Sequence, residues 1–237
     1  MIHSFQSAEA LAAAVAGRWL DEIAVAGRSG GLVTVALSGG RITNTFFAEI
    51  VQQNRVRGLT LERVHFFWAD ERCVPPTDAE SNFRQAHERL FGPLAIAADQ
   101  IHRIRGEADP AAAAQAAAAE LLALAPANAA GLPVLDLVLL GMGEDGHVAS
   151  LFPGAGREVW DCATPFLVIR DSPKPPPTRI SLSYATITAA RQIWVLASGA
   201  GKETALQRSL APGGLTPLGR VLGARPDSQL FTELKCD

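Results

Sequence analysis

Short apolar runs alternate along the chain with longer segments whose apolar residues recur at helical spacing. Residues 7–26 mix Ala, Leu, Val and Ile with polar residues at that spacing. They predict an opening helix, broken at Gly30-Gly31. Leu32-Val-Thr-Val-Ala-Leu37 reads as a buried strand ending in Ser38-Gly39-Gly40, and a helix over roughly 43–56 follows. Val64-His-Phe-Phe-Trp-Ala69 is the next strand and runs into Asp70-Glu71-Arg72. Pro75-Pro76 open a loop, and Asn82 to Phe91 has helical character. Ala111–Ala125 reads as a helix because alanine is the best helix former. Residues 134–140 are a further strand, as are Phe166-Leu-Val-Ile-Arg170 and Gln192-Ile-Trp-Val-Leu-Ala197. A helix from about Lys202 to Leu210 follows the last of these.

Strands alternating with helices imply a parallel sheet with helices on both faces. The fold class is therefore α/β, a three-layer, mostly parallel, doubly wound (Rossmann-like) sheet in a single domain over residues 1–237. Parallel strands place their carboxyl ends along one edge, which is where open α/β sheets bind ligands. Polar residues close the strands at Ser38-Gly39-Gly40, Asp70-Glu71-Arg72, Gly141 to His147 and Ser198-Gly199. These ends are expected to form one composite site.

Composition narrows the function classes. The 237 residues, 48% of them hydrophobic, suffice for one large core. A formal net charge of -3 supplies no basic field for nucleic acid. Cys73, Cys162 and Cys236 have no CxxC spacing, so they are neither a disulfide framework nor a zinc site and suit a reducing compartment. The N-terminus lacks the charge and apolar pattern of a signal peptide, and no apolar run is long enough to span a bilayer. The expectation is a soluble cytoplasmic protein that binds neither nucleic acid nor membrane. Trp19, Trp68, Trp160 and Trp194 are expected in the core, and His3, His65, His87 and His102 at the surface or in packing roles.

Residues 135–153 carry the most chemistry. Gly141, Gly143 and Gly146 spell G-x-G-x-x-G after a strand, and Asp161 lies where a dinucleotide site would place its ribose-binding acid. That reading fails on one requirement. The pyrophosphate needs a helix of several turns from the third glycine, and Pro153-Gly154 cut the segment too soon. The residue after the third glycine is instead a titratable one, His147.

With these stations placed, the chain resembles the 6-phosphogluconolactonases. The resemblance is carried by Leu37-Ser-Gly-Gly, by Asp70-Glu-Arg-Cys-Val-Pro with Ser81-Asn82 downstream, by Leu140-Gly-Met-Gly-Glu-Asp-Gly-His-Val-Ala-Ser-Leu-Phe-Pro, and by Lys174-Pro-Pro-Pro-Thr-Arg-Ile-Ser-Leu. It runs from about Leu32 to Leu206. Related glucosamine-6-phosphate deaminases share the fold and a similar turn, but Arg72 and Ser150-Leu-Phe-Pro153 favour the lactonase. The family usually continues Ser-Gly-Gly with Ser-Thr-Pro, where this chain has Arg41-Ile42-Thr43. Arg41 either adds a charged contact or points to solvent.

The resemblance implies a sugar-phosphate substrate, 6-phosphoglucono-δ-lactone, and hydrolysis with His147 as the base that activates water. Asp145 either fixes the His147 tautomer or binds backbone amides in its own turn. Phosphate is expected on the backbone of Ser38, Gly39 and Gly40 at a helix start. Arg41, Asp70, Arg72, Lys174, Arg179 and Lys202 complete the expected substrate site, with Arg179 favoured over Lys174 because it begins a strand. Asp70 pairing with Arg72 as scaffold stays open, and Glu71 is given no role. The lactone carbonyl is already an activated ester, so the reaction calls for no metal and no cofactor. The alternatives are an amino-sugar-phosphate isomerase/deaminase with Asp70 as base, and a non-catalytic sugar-phosphate sensor.

Overall fold

The computed structural model describes residues 1–235, without the side chains of Arg28 and Ser29; Cys236 lies outside the described residues. The strands are β1 Ile2–Ser4, β2 Val33–Leu37, β3 Val64–Trp68, β4 Asp70–Arg72, β5 Leu137–Gly141, β6 Phe166–Ile169, β7 Arg179–Leu182, β8 Gln192–Ala197 and β9 Gln229–Thr232. The helices are α1 Ala8–Ser29, α2 Arg41–Arg57, α3 Asn82–Ala86, α4 Pro110–Leu124, α5 Arg157–Trp160, α6 Tyr184–Ala189, α7 Glu203–Leu210 and α8 Pro217–Ala224. A π-helical turn, His87–Phe91, continues α3.

Six strands form one sheet in the order β1-β9-β8-β5-β2-β3, with every pairing parallel. The central strands read as continuous apolar runs because a parallel sheet is covered on both faces. Val35, Ala36, Val138, Leu139, Trp194 and Val195 are all buried. α1 and α2 lie side by side: Gln53 Nε2 donates to Ala13 O (2.8 Å) and Arg57 pairs with Asp21 (2.6 Å). No helix among the described residues is long and apolar enough to cross a membrane.

Three expectations change. Phe166–Ile169 does not extend the parallel sheet. It pairs antiparallel with β7, which pairs antiparallel with β4, in a separate sheet ordered β4-β7-β6. The physical reason is the connection: the link from β6 to β7 contains no helix, and parallel neighbours need a long crossover. β1, β4 and β9 are too short to leave a periodic signal. Trp160 is only half-buried, at the end of the one-turn α5, with the Arg220 guanidinium 4.4 Å above its ring. Trp19, Trp68 and Trp194 are core residues as expected.

Helix starts divide into two groups. Ser7, Ser81, Asp109, Ser183 and Thr216 cap α1, α3, α4, α6 and α8 with side-chain oxygens. The short α5, α2 and α7 have no side-chain cap. α2 and α7 both begin at the carboxyl edge of the main sheet, leaving N–H groups and the positive dipole end available there.

Candidate active site

The carboxyl ends of β2, β3, β5 and β8 do converge. They open on one cleft of about 520 Å³ whose walls include Gly39, Asp70, Gly143, His147 and Gly199. The smaller sheet closes one side, since Arg72 of β4 and Arg179 of β7 also line it.

His147 is delivered by a tight turn after β5. Gly143 N donates to His147 O (2.9 Å), and Gly146 N donates to Gly143 O (3.0 Å). The imidazole lies so close over Gly143 that a Cβ there would overlap the ring, which is why this position is glycine. Asp145 does both things left open above. Its Oδ1 accepts from His147 Nδ1 at 2.5 Å and from His147 N at 3.2 Å. Burial opposes ionisation of Asp145, but the hydrogen bond and charge of His147 hold its carboxyl well below the usual range. Phe152 packs on the imidazole with ring centroids 4.7 Å apart, and Arg179 lies 5.6 Å from the centroid of the same Phe152 ring. No helix starts at Gly146; a bridge between Val148 and Leu151 follows instead, so the glycine motif has no pyrophosphate helix.

The cations fall into two groups. Arg41, Lys174 and Lys202 form the first. Arg41 reaches across the cleft, its Nη2 3.6 Å from where a side chain on Gly199 would begin, beside Lys202. Burial, with the like charges of Arg41 and Lys174, pushes the Lys202 ammonium down, while Glu144 and Glu233 oppose that shift. Arg72 and Arg179 form the second group. Arg179 is buried, and it donates from Nε to Pro176 O (3.2 Å) and from Nη2 to Lys174 O (3.0 Å) and Pro175 O (3.1 Å). It thereby shapes the proline loop that carries Lys174, and its Nη1 has no partner among the described residues. Arg72 Nη1 donates to Glu80 O (2.6 Å), while its buried Nε has no partner among the described residues.

Some expected ligands are engaged elsewhere. Ser38 Oγ donates to Leu139 O (2.8 Å) and ties β2 to β5, so only its backbone is available. Asp70 lines the cleft, but Oδ2 accepts from Ser150 Oγ (2.7 Å) and Oδ1 from Asn82 Nδ2 (3.3 Å). It makes no ion pair with Arg72; that residue's carboxylate neighbour is Glu80, at 3.7 Å. Gly39 and Gly40 sit at the uncapped start of α2, where Gln85 Oε1 accepts from Gly40 N at 3.4 Å.

Sequence reasoning gave no role to four residues that build the site. Glu71 is buried and accepts from Arg72 N (2.7 Å), Asn82 N (2.8 Å), Phe83 N (2.8 Å) and Ser81 Oγ (3.1 Å). Burial pushes its carboxyl up to about 7, and the three backbone donors act against that shift. Asn82 lies against Gly39, its Oδ1 filling the space a Cβ would need. Ser150 anchors the far side of the His147 turn. Glu233, just after β9, accepts from Ser198 Oγ (2.9 Å) and Gly199 N (2.8 Å). Ser81-Asn82 and Ser150 lay inside the motifs; nothing in the sequence linked Glu233 to Gly199. The other histidines stay away from the cleft: His3 stacks on Phe231, His87 on Phe83, and His65 Nδ1 meets His102 Nε2 at 2.9 Å.

Comparison with known proteins places the chain in a family. Residues 6–230 match the family model of glucosamine-6-phosphate isomerases/6-phosphogluconolactonase. The 6-phosphogluconolactonase of Treponema pallidum is 37% identical over 204 residues, which cover 86% of this chain and 81% of that protein. That of Mycobacterium tuberculosis is 34% identical over 224 residues, 92% of this chain and 87% of the relative. The solved structure of 6-phosphogluconolactonase from Trypanosoma brucei superposes with a TM-score of 0.86 at 29% identity, covering 98% and 95% of the two chains. A monomeric glucosamine-6-phosphate deaminase superposes at 0.80 over 98% of this chain and 96% of its own, but at 18% identity that likeness concerns the fold alone. The chain belongs to the glucosamine-6-phosphate isomerase/6-phosphogluconolactonase family.

Proposed function

We propose that the protein hydrolyses 6-phosphoglucono-δ-lactone to 6-phosphogluconate, acting in the cytoplasm. One observation carries this reading: an imidazole tied through Nδ1 to a carboxylate faces the same cleft as Arg41, Arg72, Lys174, Arg179 and Lys202. With Nδ1 held by Asp145, Nε2 is the nitrogen left for water. It takes a proton as the water oxygen bonds to C1 of the lactone. The tetrahedral oxyanion then collapses, the bond from C1 to the ring oxygen breaks, and the imidazolium returns its proton to that oxygen. Asp145 stabilises the transient imidazolium.

The substrate's phosphate sits at the uncapped start of α2, among Arg41, Lys174 and Lys202, where dipole and charge act together. The oxyanion falls to the second group of cations. The N–H groups of Gly143 and Gly146 are already used inside the turn, so we assign the oxyanion to the guanidinium groups of Arg72 and Arg179. The deaminase alternative needs a free carboxylate base, and both oxygens of Asp70 are engaged. That favours the hydrolase.

The decisive experiment is acid release from freshly made lactone in a pH-stat, corrected for the spontaneous background. His147→Ala is expected to lower kcat by about 10²–10⁴-fold with little change in KM. Near-wild-type turnover would remove His147 from the mechanism. Ammonia release from glucosamine 6-phosphate by the wild type would overturn the substrate.

A further inference from the structure

Asp70 faces the cleft yet turns both oxygens inward, toward segments that are far apart in the sequence. Through Ser150 Oγ it touches the block that carries His147, and through Asn82 Nδ2 it touches the residue that lies against Gly39. Asn82 Nδ2 also donates to Asp70 O (2.8 Å), so that contact is doubled. Ser150 and Asn82 are themselves buried, at 0% and 2% exposure, so neither tether competes with water.

The backbone beside Ser150 needs such a tether. Ala149, which directly precedes Ser150 and lies two residues after His147, has φ of +49°, in the left-handed region that a side chain disfavours. Such a conformation persists only where its surroundings over-determine it. Here Ser150 is held twice on one side, by Oγ to Asp70 and by N to Ser181 Oγ (3.2 Å). His147 is held on the other by Asp145 and Gly143. Ser181 stands opposite Asp70 in the pairing of β4 with β7, so both anchors of Ser150 belong to the smaller sheet. A carboxylate is also a poor partner for a phosphate dianion, which argues against Asp70 as a phosphate ligand.

The geometry points to Asp70 as a positioning residue that sets the two halves of the site in register: through Ser150 it fixes the aim of His147, and through Asn82 it fixes the Gly39-Gly40 loop at the start of α2. The two tethers are separable, and so are their consequences. Loss of the Ser150 tether lets the His147 turn relax and acts on the chemical step. Loss of the Asn82 tether frees the anion loop and acts on binding. The kinetic half of this inference rests on the lactonase reading; the binding half does not.

Three variants test it, with inorganic phosphate as the binding probe. Ser150→Ala is expected to lower kcat about tenfold, since small misplacements of a catalytic group are costly, with KM and phosphate inhibition within about twofold of wild type. Asn82→Ala is expected to weaken phosphate binding and raise KM about tenfold, with a smaller effect on kcat. Asp70→Asn, left with one acceptor for two donors, moves both. Circular dichroism and melting confirm folding first. If Ser150→Ala does not fold, Ser150→Cys keeps the volume, weakens the bond and reports in its place. Equal shifts of kcat and KM in the Ser150 and Asn82 variants, or no shift in either, would overturn the inference. A wild type that binds phosphate but leaves the lactone intact would instead refute the proposed activity, and phosphate binding by Asn82→Ala would then decide the inference.

Discussion

Two clefts of about 520 Å³ each open at opposite edges of the central sheet. The amino-edge cleft is lined by α1 and by the first residues of β2, β5 and β8. Its charges are matched. Arg191 pairs with Asp136 (3.1 Å), Arg18 with Glu22 (3.3 Å), and Arg57 with the lining residue Asp21 (2.6 Å). At the carboxyl edge, among the described residues, only Arg72 of the five lining cations comes within ion-pair reach of a carboxylate, at 3.7 Å. Arg72 Nε, Asn82 Oδ1 and Glu233 Oε2 are buried there or just behind it with no partner among the described residues; toward the amino edge the atoms in that state are Trp19 Nε1 and Ser228 Oγ, and of these two residues Trp19 lines the cleft. Two of the uncapped helices, α2 and α7, begin at the carboxyl edge. Volume therefore does not distinguish a site from a groove in this molecule. Unmatched charge does, because a fold that holds like charges together without an ion in place forgoes stability that pairing would give.

The largest effect is expected where that mismatch is greatest. Lys202 is held among Arg41 and Lys174 and is opposed by burial. Lys202→Ala is expected to lower kcat/KM by about 10–100-fold, the loss of one charge-assisted contact of about 1.5–3 kcal/mol. Its melting temperature is expected to equal or exceed that of wild type, since a crowded cation has gone. Steady-state kinetics and calorimetry on the same preparation check both halves. Lower activity with lower stability would mean that the cation is a structural element and that the contrast between the two edges is false.

The sequence made the frame of this contrast legible and left its detail hidden. β2, β5 and β8 are long apolar runs ending in glycine or serine, so their carboxyl ends were visible as candidates. β4 and β7 were not legible as walls, because three residues of Asp-Glu-Arg carry no strand periodicity and their pairing is set by distant partners. The reach of Arg41 depends on the Gly199 turn across the sheet, so its own neighbours gave no direction. The place of Ser38 in the loop gives no direction for its hydroxyl, which donates to Leu139 O on the adjacent strand. Glu71 has no role legible from its neighbours in the sequence, although it fixes the segment that presents Asn82. What local pattern decides was readable; what a cross-strand hydrogen bond decides was not.

Glu71 offers a middle-sized effect that lies on stability rather than chemistry. Glu71→Gln replaces one acceptor by a donor that faces Ser81, Asn82 and Phe83, and unmet buried groups cost about 1–3 kcal/mol. The pH dependence of that penalty has a definite sign. Burial raises the folded-state carboxyl from 4.5 to about 7, so the folded protein binds the proton more tightly than the unfolded chain. The stability this gives is present in acid and lost as pH rises through about 7. The gap between wild type and Glu71→Gln in denaturant midpoint should therefore narrow from about pH 4.5 to about 7 and stay constant above. A gap that widens with pH would mean that the backbone donors outweigh burial. The carboxyl-edge cleft would then rest on a fixed anion rather than on a proton-binding one.

The smallest effect is expected at the amino edge, and its smallness is the point. Arg191 is 61% exposed and its partner Asp136 keeps two further donors, Thr34 N (2.9 Å) and Thr34 Oγ1 (3.0 Å). Arg191→Ala therefore leaves no bare buried charge, and an exposed ion pair is worth at most about 1 kcal/mol. Activity should stay within about twofold of wild type, because the residue lies beyond the opposite end of β5 and β8 from His147 and both strands keep their pairing. A loss of activity much larger than that, with the melting temperature unchanged, would show the two clefts to be energetically coupled. The amino-edge cleft would then need a functional account of its own, since paired charges there would be serving something other than the stability of the sheet.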